Sequence, residues 1–423
     1  MRRTTAVVAA ALALVTTAAS CTAPSDEAPI RVGALYPLSG TQGPGGIEEH
    51  RGVELAADLV NADGGVGGRA IELLSVDVPA ADAAPGAVEM LADEGVSLIV
   101  GSYGSTISSV IARATSSEGI VFWETGAVGM LPDDVARGEL TFRMPPTGGV
   151  LGRNAIAFVA DRLARELGRD AHDLRYGVAF VDDVYGRSVA DGAFAAIAER
   201  ELPLVGTFGY DATTADMAAL ARRIAERRVD VLFVSAYLED GVALREALVA
   251  ERVPLLASIG TSSSYCMPQF GDALGADAVG LFASDKPDAN ALDPAGLAPE
   301  AAALLARADT AYRERWGDGM SAPALAGFAA AWALFRDVVP AAARASDGPP
   351  TAVAIAAAAR RADLPLGTLP NGAGLRFGSP GGPDAGDNLR AAGVIWEWIR
   401  PGEHVVVWPP LFATHPVEAL PIA

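Results

Sequence analysis

The feature that most constrains the fold of this chain is a regular alternation of short apolar runs with helical segments. Ile30 to Tyr36, Ile71 to Val76 and Ser97 to Val100 are β-branched or apolar runs of strand length. Between the first two, Val53, Ala56, Ala57 and Val60 recur at the spacing of one helix face. Strands that alternate with helices in this way predict an α/β fold with parallel sheets covered by helices.

The alternation stops at Pro145-Pro146 and then starts again, which predicts two similar lobes rather than one continuous sheet. The last third of the chain differs, with three helices predicted at Ala301–Trp316, Pro323–Val339 and Thr351–Arg361. A strand at Gly374–Gly378 and a hairpin within 391–408, turning at 400–403, follow these helices. We expect this tail to pack onto the two lobes.

The N-terminus has the pattern of an export signal. Arg2 and Arg3 precede a short apolar run, and the run ends at Cys21 in a sequence that resembles the lipobox of bacterial lipoproteins. We predict a signal peptide over residues 1–21, an acylated Cys21 that anchors the protein to the membrane, and a tether over 22–29. Ordinary cleavage beside an incidental cysteine is the alternative. The apolar stretch from Ala322 to Ala343 contains Arg336, Asp337 and Pro340, so we predict a core helix there.

Composition excludes several classes of function. A formal charge of −20 does not suit the binding of nucleic acid, whose phosphates attract basic surfaces. Two cysteines and four scattered histidines give no zinc or iron–sulfur spacing. No phosphate-binding loop is present, and Gly101 to Ser105 lacks the Gly-x-Ser-x-Gly spacing of a nucleophile elbow. We therefore expect no enzyme activity, no metal and no cofactor.

Two loops after predicted strands carry polar groups that could meet a ligand. Ligands of parallel α/β sheets bind beyond the carboxyl ends of the strands. Ser105 and Thr106 follow one strand, where their hydroxyls could contact a ligand or cap the next helix. Glu124 follows another, and its carboxylate could meet an arginine of the fold or a cationic group of the ligand.

Several segments in order resemble the branched-chain amino-acid type of periplasmic binding proteins, also called type I solute-binding proteins. These segments, which span most of the chain from Ile30 to Pro410, are 30–40, 61–69, 100–102, 183–186, 231–235 and 407–409. The resemblance implies two Rossmann-like lobes joined by a three-strand hinge. It assigns 30–146 and 284–388 to the N-terminal lobe, and 147–283 and 389–415 to the C-terminal lobe.

The resemblance also implies a ligand site in the cleft between the lobes. Ser105 and Thr106 would hold a ligand carboxylate, residues 124–127 would offer backbone groups, and Tyr185 and Tyr237 would close the cleft from the second lobe. The predicted ligand-binding residues are Ser102, Tyr103, Ser105, Thr106, Trp123, Glu124, Thr125, Ala127, Tyr185 and Tyr237.

Two departures from the family pattern affect the ligand. The second-lobe stretch Ser258 to Ser264 lacks the acidic residue that pairs with a ligand ammonium in amino-acid binders, and Gly45 stands where an aromatic residue is usual. We expect Glu124 to take over the contact with ligand donor groups. The ligand is then an amino acid or, without an ammonium group, an amide, urea or small organic acid.

The resemblance implies an extracytoplasmic, lipid-anchored solute-binding protein that delivers a small polar ligand to the permease subunits of an ABC importer. A sensor module of the same fold, acting on a separate partner protein, is the alternative.

Overall fold

The computed structural model describes residues 28–289, 291–346 and 348–422. Cys21, with the signal peptide and most of the predicted tether, lies outside the described residues.

Two sheets form the framework of the molecule. The first has five parallel strands in the order β2-β1-β3-β4-β5, and the second has seven in the order β12-β11-β10-β9-β8-β6-β7. The strands are β1 Ile30–Tyr36, β2 Ile71–Asp77, β3 Leu98–Gly101, β4 Val121–Glu124, β5 Thr141–Arg143, β6 Tyr176–Val181, β7 Leu204–Tyr210, β8 Val231–Ser235, β9 Ala257–Thr261, β10 Phe282–Asp285, β11 Val394–Arg400 and β12 Glu403–Trp408.

Helices cover both sheets. They are α1 Gly43–Ala62, α2 Ala84–Asp93, α3 Ser105–Glu118, α4 Gly148–Phe158, α5 Ala164–Glu166, α6 Val184–Glu199, α7 Met217–Glu226, α8 Leu238–Ala250, α9 Pro268–Leu274, α10 Pro299–Trp316, α11 Ala322–Ala333, α12 Val339–Ala343 and α13 Ala352–Arg361. Helices α10 and α11 pack on α1, and α13 packs on β4. We call the five-stranded sheet with α1–α3 and α10–α13 the first lobe, and the seven-stranded sheet with α4–α9 the second lobe.

The inner strands β1, β3 and β4 of the first sheet are mostly apolar at successive positions because both of their faces are covered, whereas the edge strand β2 carries Glu72 and Asp77. Leu35 and Ile99 point to the side that α2 and α3 cover, whereas Ala34 and Val100 point to the side of α1. Successive side chains of a strand lie on opposite faces, so a strand between two helix layers needs apolar residues at every position. This is why short continuous apolar runs identified these strands in the sequence.

The α/β fold is confirmed, with three differences in detail. β11 and β12 run antiparallel to their neighbours, so the second sheet is mixed rather than wholly parallel. The strand predicted at Gly374–Gly378 is wrong, since these residues make only isolated bridges such as Phe377 to Asn388. β5 and β10 were not predicted, because each is short and the alternation of strands and helices is interrupted around them.

The apolar segment Ala322–Ala343 is long and apolar enough to cross a membrane, yet 83% of its most apolar window is buried inside the protein. Its first part, α11, packs along α1. The segment is therefore the core helix predicted from the sequence.

The chain passes between the two lobes after β5, after β10 and before β11. The first and third connections lie side by side, because the Arg143 backbone N–H donates to Gly386 O at 2.8 Å and the Asn388 N–H donates to Arg143 O at 2.9 Å. The Arg143 guanidinium also forms a buried ion pair with Asp387 at 2.7 Å.

Candidate functional site

A cleft with a volume of about 730 Å³ lies between the lobes. Its walls are built from the residues at or just after the carboxyl ends of the parallel strands, as expected for α/β sheets. The first lobe contributes segments within 41–45, 79–81 and 103–107, which follow β1, β2 and β3. The second lobe contributes residues within 181–183, 211–213, 237–240 and 263–267, at the ends of β6, β7, β8 and β9.

Tyr103 spans the cleft from the first lobe to the second. Its hydroxyl donates to Ser263 Oγ at 3.3 Å and lies 3.9 Å from Met267 Sδ. The ring lies over Gly45, where a Cβ atom would come within 2.3 Å of Tyr103 Cζ, so a side chain at position 45 would displace the ring. Tyr103 thus places an aromatic ring beside the loop in which Gly45 stands.

The second-lobe wall carries carboxylates bonded to tyrosine hydroxyls. Tyr237 donates to Asp183 Oδ2 at 2.5 Å, and Tyr210 donates to Asp240 Oδ2 at 2.6 Å. Burial raises the pKa of Asp240 to about 6, although the bond from Tyr210 opposes this shift. The wall is acidic: the described charged residues that line the cleft are Asp182, Asp183, Asp211, Glu239 and Asp240, with no basic side chain among them.

Glu124 lies behind the cleft wall and is fully buried. Its Oε1 accepts backbone N–H bonds from Ser102, Gly126 and Ala127 at 3.0, 3.1 and 2.9 Å, and its Oε2 bonds to Ser108 Oγ. Burial, with a smaller repulsion from Glu49, raises the pKa of Glu124 to about 8 against the effect of the three N–H donors. The carboxyl group ties the loop after β3 to the loop after β4.

The sequence predicted an arginine or a cationic group of the ligand as the partner of Glu124, but its partners in the structure are backbone N–H groups and Ser108. Arg143 lies opposite Glu124 in the sheet register but pairs with Asp387 instead. The Glu124 carboxyl group does not line the cleft, because the loops fold around it and satisfy it with their own donors.

A second buried carboxylate, Glu49 of α1, lies beneath the loop after β4. Its Oε1 accepts from Thr125 Oγ1 at 2.5 Å, and Thr125 Oγ1 also bonds to Tyr36 Oη at 2.6 Å. Gly126 is required above it, since a Cβ at that position would collide with Glu49 Oε2. Burial raises the pKa of Glu49 to about 7, and Asp285 adds to this while Lys286 and Thr125 oppose it.

Asp285 ends β10 and Lys286 follows it, where the chain leaves the second lobe. Lys286 is 2% exposed; its Nζ donates to Gly126 O at 3.1 Å and lies 5.7 Å from the centre of the Tyr103 ring. Asp285 is 1% exposed; its oxygens have no N–H or O–H donor among the described residues, and the weakly donating Cys266 thiol is close to them. Cys266 lies beside Asp285, and burial together with that carboxylate raises the pKa of the thiol well above its usual range.

The structure brings only three of the ten predicted residues to the cleft surface, namely Tyr103, Thr106 and Tyr237. Ser105 does not cap α3, because the N-cap is Gly104; its Oγ accepts instead from Gly129 N at 2.9 Å. Thr106 does not cap the helix either.

The remaining predicted residues are buried behind this surface. Tyr185 bonds to Thr261 Oγ1 at 2.9 Å, and Ala127 N–H donates to Ser102 O at 3.1 Å and to Glu124. Ser102 Oγ is buried with no hydrogen-bond partner among the described residues. Trp123 is a core residue: its ring packs on Phe142 and Phe377, and its Nε1 donates to Ala330 O at 3.0 Å.

Sequence reasoning missed the charged residues behind Tyr103. One signal was available for Lys286, which is the only lysine in the chain. A chain that uses arginine for every other basic side chain and keeps one lysine fully buried indicates a special requirement at that position.

Comparisons with known proteins agree with this architecture. The family model for periplasmic binding proteins matches residues 29–383. Leu/Ile/Val-binding protein homolog 8 of Brucella abortus (strain 2308) is 32% identical over 395 residues, which cover 90% of this chain and 91% of the relative.

Solved structures show the same fold. A leucine-binding protein of Thermotoga maritima matches with a TM-score of 0.73 and 16% identity, covering 89% of this chain and 97% of that one. A branched-chain amino acid transporter substrate-binding protein of Streptococcus pneumoniae, in complex with isoleucine, matches with a TM-score of 0.70 and 17% identity, covering 90% and 100%. The relatives are substrate-binding proteins and not enzymes, in agreement with the sequence prediction. With its two sheets, its cleft at the strand ends and a family match over most of its length, the chain belongs to the periplasmic binding protein family.

Proposed function

We propose that this protein captures a small polar ligand, such as an amino acid or an amide, in the cleft and delivers it to the permease subunits of an ABC importer. The observation that carries the proposal is the cleft of about 730 Å³ bounded by strand ends of both lobes. A site divided between two lobes binds its ligand most tightly when the lobes close on it. The names of the Brucella and Streptococcus proteins support an amino acid as the first ligand to test.

Tyr103, Thr106 and Tyr237 are the residues that we propose to contact the ligand directly. Tyr103 also connects the lobes through Ser263, so its hydrogen bond forms on closure and breaks on opening. The other predicted site residues support this surface from behind: Glu124 and Ala127 fix the loops after β3 and β4, and Tyr185 holds the loop after β9.

Ligand binding is tested by a thermal-shift screen of the chain carrying Cys21→Ser against amino acids, amides, urea and small organic acids. A ligand that binds the folded state with micromolar affinity adds roughly 4 kcal/mol of stability at millimolar concentration. A shift with one chemical class supports solute binding and identifies that class. The absence of any shift across the screen contradicts the proposal.

We also propose that Cys21 carries a lipid that holds the protein at the outer side of the cell membrane, as part of the same function. Family membership already indicates an extracytoplasmic location. The wild-type protein should partition into the detergent phase of a Triton X-114 extraction, and Cys21→Ser should move it to the aqueous phase. Equal partitioning of the two proteins contradicts lipid anchoring.

A further inference from the structure

Behind Tyr103 lies a group of buried charges that we call the inner recess, formed by Glu49, Asp285 and Lys286. The three come from different parts of the fold: Glu49 lies in α1 of the first lobe, Asp285 ends β10 of the second lobe, and Lys286 follows it. Each is at most 2% exposed. Gly126 connects the recess groups: Lys286 Nζ donates to Gly126 O at 3.1 Å, and a Cβ at Gly126 would lie 1.6 Å from Glu49 Oε2. Lys286 accordingly lowers, and Asp285 raises, the pKa of Glu49.

The inner recess has more hydrogen-bond acceptors than donors. Both oxygens of Asp285 and Oε2 of Glu49 are buried without a hydrogen-bond partner among the described residues. The one cation present, Lys286, directs its ammonium group at Gly126 O and the face of the Tyr103 ring. The Cys266 thiol beside Asp285 donates to Ser262 O. Buried carboxylate oxygens without donors are costly, so a group that brings donors is strongly favoured there.

The charges of the recess are also unbalanced. When Glu49 is ionised, two carboxylates face the single described ammonium group, so one further positive charge neutralises the set. The described His, Cys, Asp and Glu residues form no group suited to a metal ion. A primary ammonium group supplies one positive charge and three N–H donors, which equals the number of unpartnered carboxylate oxygens.

Tyr103 lies between the cleft and Lys286 of the recess. Tyr103, Ser263 and Met267 line the cleft on one side, and the Tyr103 ring covers Lys286 on the other. The acidic second-lobe wall attracts cations and disfavours anionic ligands. Since the bond between Tyr103 and Ser263 joins the two lobes, separation of the lobes would break it and free the ring to turn away from the recess.

We propose that the inner recess is the subsite for a primary ammonium group of the ligand, with Asp285 and Glu49 as its acceptors and Tyr103 as its cover. The inference rests on the proposed function and narrows it to amine-bearing solutes such as amino acids. It also replaces the sequence-based expectation that Glu124 meets the ligand's donor groups, because the oxygens of Glu124 already have partners.

The test measures affinities for matched compounds that differ only in the amine. L-leucine, L-isoleucine and L-valine are each titrated beside the carboxylic acid that lacks the amino group. Leucinamide and 4-methylpentanamide form an amide pair with and without the amine. We expect the amine-bearing member of a pair to bind at least ~100-fold more tightly, since an ammonium group then occupies a buried carboxylate site. A deaminated compound that binds as tightly as its amine overturns the ammonium subsite while leaving solute binding intact. If no compound of any pair binds, both the subsite and the proposed function fail.

Variants then assign the effect to the recess. Asp285→Asn should weaken binding of the amine-bearing ligand by at least ~30-fold, and Glu49→Gln should weaken it by a smaller factor, because only one Glu49 oxygen lacks a partner. The matched control is Glu397→Gln: Glu397 is also fully buried in the second lobe but accepts backbone N–H bonds from Glu418 and Leu420. It should bind the ligand as wild type does.

A folding defect is separable from a loss of the subsite. Asp285→Asn removes an unpartnered buried carboxylate, so the ligand-free melting temperature of the variant should equal or exceed that of wild type. A variant that melts lower and binds with unchanged affinity would make Asp285 a structural residue and overturn the proposal. If Asp285→Asn does not fold, the affinity of Glu49→Gln for the amine-bearing ligand is the test. An unchanged affinity in that variant overturns the proposed ammonium subsite.

Discussion

The loop region around Glu124 and the inner recess around Asp285 both bury carboxylates, but they differ in how these carboxylates are satisfied. Glu124 accepts three backbone N–H bonds and bonds to Ser108, all from its own lobe. Asp285 has no N–H or O–H donor among the described residues, and the weakly donating Cys266 thiol is close to its oxygens. A carboxylate with all of its acceptor positions occupied holds the fold together, whereas one with open positions is available for a ligand.

The largest expected effect is on the free energy of unfolding when Glu124 is replaced. Glu124→Ala leaves the N–H groups of Ser102, Gly126 and Ala127 buried without an acceptor, so we expect a loss of about 3 kcal/mol in the free energy of unfolding. Glu124→Gln keeps an oxygen for these donors and an amide that can donate to Ser108 Oγ. It should unfold within ~0.5 kcal/mol of wild type at pH 5, measured by urea denaturation.

Ligand affinity provides the control for that pair. Glu124→Gln should bind the ligand as tightly as wild type, because the carboxyl group does not reach the cleft. A loss of affinity of tenfold or more in Glu124→Gln, with stability unchanged, would return Glu124 to the ligand site and remove the distinction between the two regions.

The pH dependence of stability is the next effect in size. The pKa of Glu124 is raised in the folded protein to about 8, mainly by burial, so the folded state holds its proton more tightly than the unfolded state does. This contribution to stability is complete below the unfolded pKa, about 4.3, and is lost as the pH rises through 8. The loss from Glu124 alone should be about 2 kcal/mol between pH 5 and pH 7.

Glu49 acts in the same direction, with its pKa raised to about 7 by burial and by Asp285. Lys286 and Asp285 shift the pKa of Glu49, and Glu49 in turn raises the pKa of Tyr36 and of Glu124. Urea denaturation at several pH values should give a flatter curve for Glu124→Gln than for wild type. Parallel curves for the two proteins would contradict the assignment of this pH dependence to Glu124.

The smallest effect concerns access to the recess and makes use of the single lysine. Lys286 is 2% exposed and covered by Tyr103, so an amine-reactive reagent should modify it slowly in the ligand-free protein. Tyr103→Ala should raise the rate of modification about tenfold, an order-of-magnitude expectation for uncovering a buried amine. Peptide mapping by mass spectrometry separates Lys286 from the N-terminal amine.

Tyr237→Ala is the matched control for this measurement. It removes a ring of the same size from the opposite wall of the cleft, where Tyr237 bonds to Asp183 rather than covering Lys286. Its modification rate should equal that of wild type. An equal increase in both variants would show that any opening of the cleft exposes Lys286, and Tyr103 would not be its cover.

The class of fold follows from the sequence alone. Fully buried parallel strands are apolar at successive positions, so apolar runs such as Ile30 to Tyr36 predicted strands correctly. The turn at 400–403 likewise predicted the terminal hairpin. The order of the motifs also indicated the family, which the match over residues 29–383 confirmed. Short strands such as β10 were missed because four residues between irregular segments carry too little periodicity.

Which polar residues face the cleft, in contrast, depends on how distant loops meet in the folded protein. Ser105, Thr106, Glu124 and Tyr185 all follow strand ends and look equivalent along the sequence, yet among these four only Thr106 lines the cleft. The difference depends on which backbone donors happen to surround each side chain after folding, and hydrogen bonds between distant loops leave no local pattern. The inner recess could not be predicted from the sequence for the same reason. Glu49 lies in α1 and Asp285 at the end of β10, so the two residues are far apart along the chain and come together only in the folded protein.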